Sequence, residues 1–472
     1  MSDTGKTTVA DSKAQDSIEQ ELYQKRKKIY PREVHGLFAS LRLLGVAVLL
    51  GLFYILPWIN YDGHQAVLFD LPARKFYIFG MVFWPQDFIY LTLLLVIAAL
   101  SLFFFTALAG RLWCGFACPQ TVWTELFMWI EHRIEGNRNQ QMKLDKLPFK
   151  KKFPKKFLKH FLWLALSLYT GFTFVGYFTP IRELAASIPT FDFGPWELFW
   201  IFFYGFATYG NAGWMREQVC LYMCPYARFQ SAMFDQDTMI ISYDPARGEP
   251  RGPRKKNADP KELGLGDCVD CTLCVQVCPT GIDIRDGLQY QCIGCAACID
   301  ACDDVMEKMG YPKGLIRYTT ENRLAGKETH ILRPRIIVYG LILLAITLGT
   351  LYAIANKPIL EMDVIRDRNS LFRETGMGNV ENVYTIKIIN KDIKPHEFEL
   401  SAEGLPGIKL NMPERRLYAE PGSVVEVPVS IEVDPDKLEQ RTSPVYFKLQ
   451  ATDDPELETV EEARFLGPVP GR

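Results

Sequence analysis

Twelve cysteines fall in three tight groups, and their spacing is the first chemistry this 472-residue chain offers. Between Cys268 and Cys302 two runs of C-x2-C-x2-C-x3-C follow one another: Cys268/Cys271/Cys274/Cys278 and Cys292/Cys295/Cys298/Cys302. Each cysteine of the second run stands 24 residues after its counterpart, which marks an internal duplication. Three thiolates at x2 spacing wrap one corner of an iron–sulfur cube, and the fourth of such a run ligates the other cluster. The pattern predicts two [4Fe–4S] clusters, one held by Cys268, Cys271, Cys274 and Cys302, the other by Cys292, Cys295, Cys298 and Cys278. Pro279 fits the bacterial ferredoxin signature, whereas Asp303 departs from it at the equivalent position. Zinc sites and disulfide frameworks also use closely spaced cysteines. Eight thiols in two matched ferredoxin runs favour iron–sulfur over zinc, and the cytoplasmic placement argued below disfavours disulfides.

The other four cysteines form a second repeat, RLWCGFACPQ around Cys114 and Cys118 and EQVCLYMCPY around Cys220 and Cys224. Each is C-x3-C-P, and each follows an apolar hairpin, so the membrane part reads as a duplicated unit whose two motifs share one depth. Proline suits the first helical turn and disfavours helix in the residue before it. Cys118 and Cys224 are therefore expected just ahead of new helices, the first running from Pro119 to about Glu135, with the lowered thiol pKa of a helix N-terminus. Thiolates are soft ligands for Cu(I), zinc or iron–sulfur centres. At i and i+4 on one helix the two thiols of a pair would be too far apart for a relaxed disulfide, which favours metal ligation. Burial as small packing residues is the plain alternative for one such pair, but two matching copies favour function. Met223 reads as packing, and His132 and His160 as structural or solvated.

These motifs must be positioned by the surrounding elements. Five stretches approach the roughly 20 apolar residues that a bilayer core demands: about Leu37 to Trp58, Phe88 to Gly110, Phe161 to Thr179, Trp196 to Gly213 and Ile336 to Ala355. Gly205, Gly210, Gly213, Tyr204 and Asn211 make the fourth the weakest, and Arg42 can snorkel from the first to the headgroups. Glu131 to His160 carries ten Lys and Arg, and the polar N-terminus adds Lys25, Arg26, Lys27, Lys28 and Arg32, whereas the intervening loops have only Arg74, Lys75 and Arg182. That asymmetry puts the basic segments and the ferredoxin run in the cytoplasm and the C-terminal domain outside. No cleavable signal peptide is legible.

The division expected is a cytoplasmic tail over 1–36, a membrane domain with four spans over 37–242, a Pro/Gly-rich linker over 243–266, a two-cluster α+β ferredoxin domain over 267–330, a fifth span over 336–355 and a β domain over 357–472. In the last, period-two runs such as Asn382 to Ile389, Ser423 to Val433 and Val445 to Ala451 predict an all-β immunoglobulin-like sandwich, which has no cysteine and must hold by its core. It reads as a docking or spacer module. The net charge of −2 gives no global reason for a nucleic-acid partner.

The chain resembles the FixG/RdxA/CcoG family of accessory proteins of the cbb3-type cytochrome c oxidase. The resemblance runs through Leu22 to Arg42, Asp70 to Phe88, Gly110 to Gly136 (GRLWCGFACPQTVWTELFMWIEHRIEG), the second C-x3-C-P, the ferredoxin repeat and the final span with its β domain. It implies a multi-pass protein of the bacterial inner membrane, periplasmic at its C-terminus, whose clusters serve reduction of Cu(II) to Cu(I) for copper-centre assembly. On that reading the protein is an oxidoreductase, Cys114, Cys118, Cys220 and Cys224 bind and reduce copper, and copper is a substrate or transient ligand. The partners implied are membrane lipid, a cytoplasmic electron donor and copper-transfer or oxidase-assembly proteins, and a homo-oligomer is compatible with the sequence. Two other functions fit the same residues: a quinol-oxidising subunit, as in the NapH-type membrane ferredoxins with their own C-x3-C-P motifs, and a non-redox copper-binding scaffold.

Overall fold

The computed structural model describes residues 28–61, 63–256, 258–260, 262–392 and 394–468. The chain divides into two compact units, Met1–Trp58 with Ala98–Leu343, and Ile59–Ile97 with Leu344–Arg472. The expected N-terminal tail lies outside the described residues up to 27, and from Lys28 the chain is part of the first unit.

Among the described residues three helices are long and apolar enough to cross a membrane: Leu37–Trp58, Pro85–Ala109 and Pro334–Ala355. At 1.5 Å per residue, 22 residues reach about 33 Å, the thickness of a hydrocarbon core. Five spans were expected, so the count is corrected to three. The third expected span lies in the C-terminal part of the Phe149–Val175 helix, whose N-terminal half is rich in lysine and whose last turn stops short of Thr179. The fourth is an α-helix only over Pro195–Thr208, 14 residues or about 21 Å long. From Tyr209 to Met215, around Gly210 and Gly213, it passes into a π-helical stretch. The two helices pair closely instead: a Cβ on Gly171 would lie 2.2 Å from the carbonyl oxygen of Ile201, an approach that small residues permit.

The ferredoxin part shows its duplication in the backbone. Asp270 and Gly294 share positive φ (51° and 70°), as do Thr272 and Ala296 (57° and 58°), each pair 24 residues apart. Left-handed residues at matching places turn each cysteine run back on itself before the Leu273–Gln276 and Ala297–Met309 helices. The second of these continues past Cys302, which accounts for Asp303: a proline there would sit in a helix interior, and Asp303 Oδ1 instead accepts from the Gly314 N–H at 2.8 Å. Strand Ile240–Tyr243 pairs with Ile316–Thr319 and closes the core. The domain thus draws in residues ahead of 267, and Tyr243 packs among Cys268, Cys274 and Leu315.

In the second unit the β domain is two antiparallel sheets. One orders Lys409–Asn411, Val424–Val433, Val380–Asn390 and Leu360–Arg366; the other orders Arg416–Ala419, His396–Glu403, Thr442–Ala451 and Glu458–Leu466. Alternation along Val380–Asn390 buries Tyr384, Ile386 and Ile388 against Phe398, Phe447 and Phe465, which is the expected sandwich core. Near its start the unit holds a buried ion cluster: Asp87 takes Lys357 at 2.7 Å and Lys391 at 3.3 Å, and Lys391 also reaches Glu361 at 2.5 Å.

Candidate functional site

Two cavities in the ferredoxin part sort its cysteines. One is lined by Cys268, Cys271, Cys274 and Cys302, and the other by Cys278, Cys292, Cys295 and Cys298; Cys274 lines both. The last cysteine of each run therefore lines the cavity of the other run's first three. Burial pushes the Cys302 thiol up to about 12, and the thiols that raise it further are Cys274, Cys268 and Cys271. Cys278 acts in the same sense on Cys292 and Cys295. Leu315 and Ile316 wall the first cavity, and Ile282, Ile284 and Ile293 the second. Among the described residues no three His, Cys, Asp or Glu side chains converge on a single-ion site. The thiols ring each cavity instead of meeting at a point, and soft donors around an apolar hollow fit an iron–sulfur cluster.

The C-x3-C-P motifs lie on different local structure from that expected. Cys114 is in a short helix, Leu112–Phe116, while Cys118 is extended (φ −61°, ψ 129°) with Pro119 opening the Pro119–Glu135 helix. Cys220 is in the π-helical Val219–Met223, and Cys224 is extended (φ −78°, ψ 108°) ahead of Pro225–Met233. Each second cysteine does precede a helix, but neither pair spans one continuous helix, so the i, i+4 geometry is corrected. The lowered thiol pKa is corrected at Cys118. Burial raises Cys118 although the Gln120 and Thr121 N–H groups oppose it, and pushes Cys114 and Cys220 up to about 12. Those thiols also raise one another, Cys220 through Cys118, Cys114 and Cys224, so the fold gathers all four.

This group abuts the second ferredoxin cavity. Cys114 and Cys220 pack with Val277, Ile293 and Cys295, and a Cβ on Gly115 would lie 2.5 Å from the Gly294 carbonyl oxygen. Buried Arg111 joins the parts: its guanidinium donates to the carbonyls of Tyr290, Cys292 and Ala227 and, at 2.7 Å, to Ser231 Oγ. Its charge bears on Cys114, Cys292, Cys220 and Cys224. Cys114 Sγ donates to Gln230 Oε1 at 3.2 Å, and Gln230 Nε2 donates to Thr106 Oγ1 at 3.3 Å. Sequence reasoning singled out neither Arg111 nor Gln230. Arg42, expected to snorkel, is buried and donates to the Cys295 carbonyl, because the ferredoxin part covers the start of its helix. Met223 is exposed, contrary to a packing role. His132 and His160 have structural partners, the Pro31 carbonyl at 3.2 Å and the Tyr209 hydroxyl at 2.8 Å.

An ion cluster fixes the approach to the second motif. Glu131 receives Arg216 at 2.6 Å and Lys159 at 3.2 Å, while Glu135 receives Lys159 at 2.9 Å and Lys156 at 2.7 Å. Burial alone would raise the Glu131 pKa, but Arg216 and Lys159 outweigh it and hold the carboxyl down to about 2. Arg216 has a strained φ of 45°, and this clamp holds it there.

Two cluster cavities, a second thiol group beside them, three spanning helices and an immunoglobulin-like domain define a membrane-bound iron–sulfur protein. Family comparison agrees: the 4Fe-4S dicluster domain matches residues 215–321, a 4Fe-4S binding domain residues 91–138, and the IG-like fold at the C-terminal of FixG residues 350–468. The Nitrogen fixation protein FixG of Rhizobium meliloti is 39% identical over 455 residues, covering 88% of this chain and 86% of that protein. Protein RdxA and Protein RdxB of Cereibacter sphaeroides are 39% and 38% identical, covering 82% and 87% of this chain and 85% and 88% of their own. A solved FixG-related protein from Vibrio parahaemolyticus is 36% identical, covers 24% of this chain and 98% of its own, and has a TM-score of 0.22. The chain belongs to the FixG/RdxA family.

Proposed function

We propose that this iron–sulfur electron-transfer protein is a cupric reductase. The observation that carries the reading is the packing of Cys114 and Cys220, the first cysteine of each C-x3-C-P motif, against Ile293, Cys295 and Ala297, which line the cavity of Cys278, Cys292, Cys295 and Cys298. [4Fe–4S] clusters held by the eight ferredoxin cysteines would supply single electrons. Soft thiols at Cys114, Cys118, Cys220 and Cys224 favour Cu(I) over Cu(II), so they assist the one-electron reduction of a copper substrate. Arg111, beside both thiol groups, offsets negative charge as those thiols ionise. Support for copper-centre assembly of a cbb3-type oxidase, and partnership with copper-transfer proteins, follow from the same reading. The basic segments favour a cytoplasmic ferredoxin part and a periplasmic β domain. Three spans give the same sides as five, since the two removed are consecutive. A reporter active only outside the membrane should stay silent when fused after Asp303 and signal when fused at the C-terminus.

The test is anaerobic. Protein reduced with dithionite and freed of the excess should convert Cu(II) to Cu(I), trapped by a Cu(I) chelator, and serine at all four C-x3-C-P positions should abolish this while leaving the cluster spectrum intact. Unchanged copper reduction by that variant would sink the proposal. One observation favours a second reading, a third iron–sulfur centre at these thiols: the 4Fe-4S binding domain match at 91–138 contains only Cys114 and Cys118. About eight irons per chain supports copper there, and about twelve supports the third centre.

A further inference from the structure

The electron donor is the missing partner, and the first unit contains a cavity suited to one. It has a volume of about 280 Å³ and opens between the first spanning helix, the Pro119–Glu135 helix and the loops of the second cysteine set. That is close to the lower end for small-molecule sites. Val34, Leu43, Met128 and Trp129 give it apolar walls. Leu43 and Trp129 are 63% and 51% exposed, so the cavity opens beside the face that the spanning helix turns to lipid. Cys295 and Cys220 both line it. A redox-active occupant would thus stand against a thiol of each redox group.

The same cavity holds a place for protons. His132 Nε2 lies 3.2 Å from the Pro31 carbonyl, which can only accept, so in the neutral ring Nε2 carries the hydrogen and Nδ1 is free to take one. Nδ1 faces the Glu33 carboxylate at 3.8 Å, and Glu33 is half exposed. Nδ1 and the half-exposed carboxylate beside it give a proton a path from the cavity to water. Apolar walls beside lipid, adjacent electron acceptors and a histidine–carboxylate proton exit are together the requirements of hydroquinone oxidation.

We infer that this cavity binds a lipid-soluble hydroquinone and that the protein draws its electrons from it. The inference rests on the reading that electrons pass from the ferredoxin cysteines' clusters to the C-x3-C-P thiols. One hydroquinone loses two electrons and two protons and becomes a quinone. Clusters held by the eight ferredoxin cysteines would supply the one-electron relay and two Cu(II) ions the final acceptors, while both protons leave in turn through His132 and Glu33 to water. Arg42, on the wall and bonded to the Cys295 carbonyl, fixes the acceptor side of the cavity.

The experiment uses full-length protein in lipid nanodiscs with a short-chain azidoquinone as photolabel. Label should concentrate on the Pro119–Glu135 helix and the Glu33 to Leu43 segment, and unlabelled short-chain quinone, but not added phospholipid, should compete it away. Ala39→Trp, which fills the cavity, should cut labelling by about tenfold or more. His132→Gln should leave labelling within about twofold but slow cluster reduction by a short-chain quinol by about 10²-fold, the scale of a lost general base. Label spread over every lipid-facing helix, competition by phospholipid, or full-rate quinol oxidation by His132→Gln would overturn the inference. The histidine variant carries the test if Ala39→Trp does not fold. Dithionite reduces the wild-type clusters without the cavity, so failure of copper reduction under dithionite would strike the cupric reductase reading alone.

Discussion

Asp300 and Ala39 are 261 residues apart in the chain, yet the Asp300 carboxylate accepts the Ala39 N–H at 2.7 Å and the Phe38 N–H at 3.2 Å. Those are N–H groups of the first helical turn, which no residue within the helix can satisfy. A carboxylate from between Cys298 and Cys302 thus caps the first spanning helix, where the helix dipole favours negative charge. Asp300→Ala should cost about 1–2 kcal/mol, at the upper end for caps because the site is buried. Urea unfolding followed by cluster absorbance measures this, and an unchanged midpoint would refute the cap.

Gly115 tests the contact between the two thiol groups. Gly115→Ala drives a Cβ into the Gly294 backbone, so the C-x3-C-P group must move away from the second cavity. Iron content should remain near wild type while copper reduction by protein that has been reduced with dithionite and freed of the excess falls about tenfold or more, the sensitivity of reactions to misplacement of about 1 Å. Gly51→Ala is the control, since nothing among the described residues lies within 4 Å of its Cβ.

The crossed cavities predict a crossed phenotype. Cys302→Ser should damage the cluster of Cys268, Cys271 and Cys274, and Cys278→Ser the cluster of Cys292, Cys295 and Cys298. Electron paramagnetic resonance of the reduced variants separates the two signals. Each serine affecting the cluster nearest it in sequence would overturn the assignment.

Acid should loosen the clamp on the second motif. Glu131 is held at about 2 in the folded protein, below its unfolded value of about 4.3. Its stabilisation is therefore complete above that unfolded value and is lost as pH falls towards 2. Glu131→Gln should flatten the pH dependence of the melting temperature between about 5 and 2. At neutral pH it should destabilise by about 3 kcal/mol, because Arg216 would stay buried without its carboxylate while Lys159 keeps Glu135.

What the sequence revealed was local. The crossed cysteine sets were legible because their spacing is repeated within 35 residues from Cys268 to Cys302, and the sandwich because period-two runs such as Asn382 to Ile389 record burial directly. Arg111 and Gln230 were not legible. Gln230 meets Cys114 across 116 residues, and Arg111 serves carbonyl groups, which leave no trace in side-chain pattern. Arg42 misled because its distance from a helix end says nothing of a domain docked there. The two extra spans misled for a related reason: composition over Phe161 to Thr179 and Trp196 to Gly213 does not show where the helices start, stop or change pitch.

The Asp87 cluster bears on biogenesis. Lys391 follows Asp87 by 304 residues, so during synthesis the carboxylate that opens the second spanning helix must wait for both lysine partners. Lys357 and Lys391 arrive only with the last spanning helix and the β domain. A chain truncated before Lys391 would leave the Asp87 site incomplete, and unfilled buried charge is costly. The C-terminal domain therefore supplies one of the two cations that the Asp87 carboxylate needs, so the start of the second spanning helix is complete only once that domain has folded.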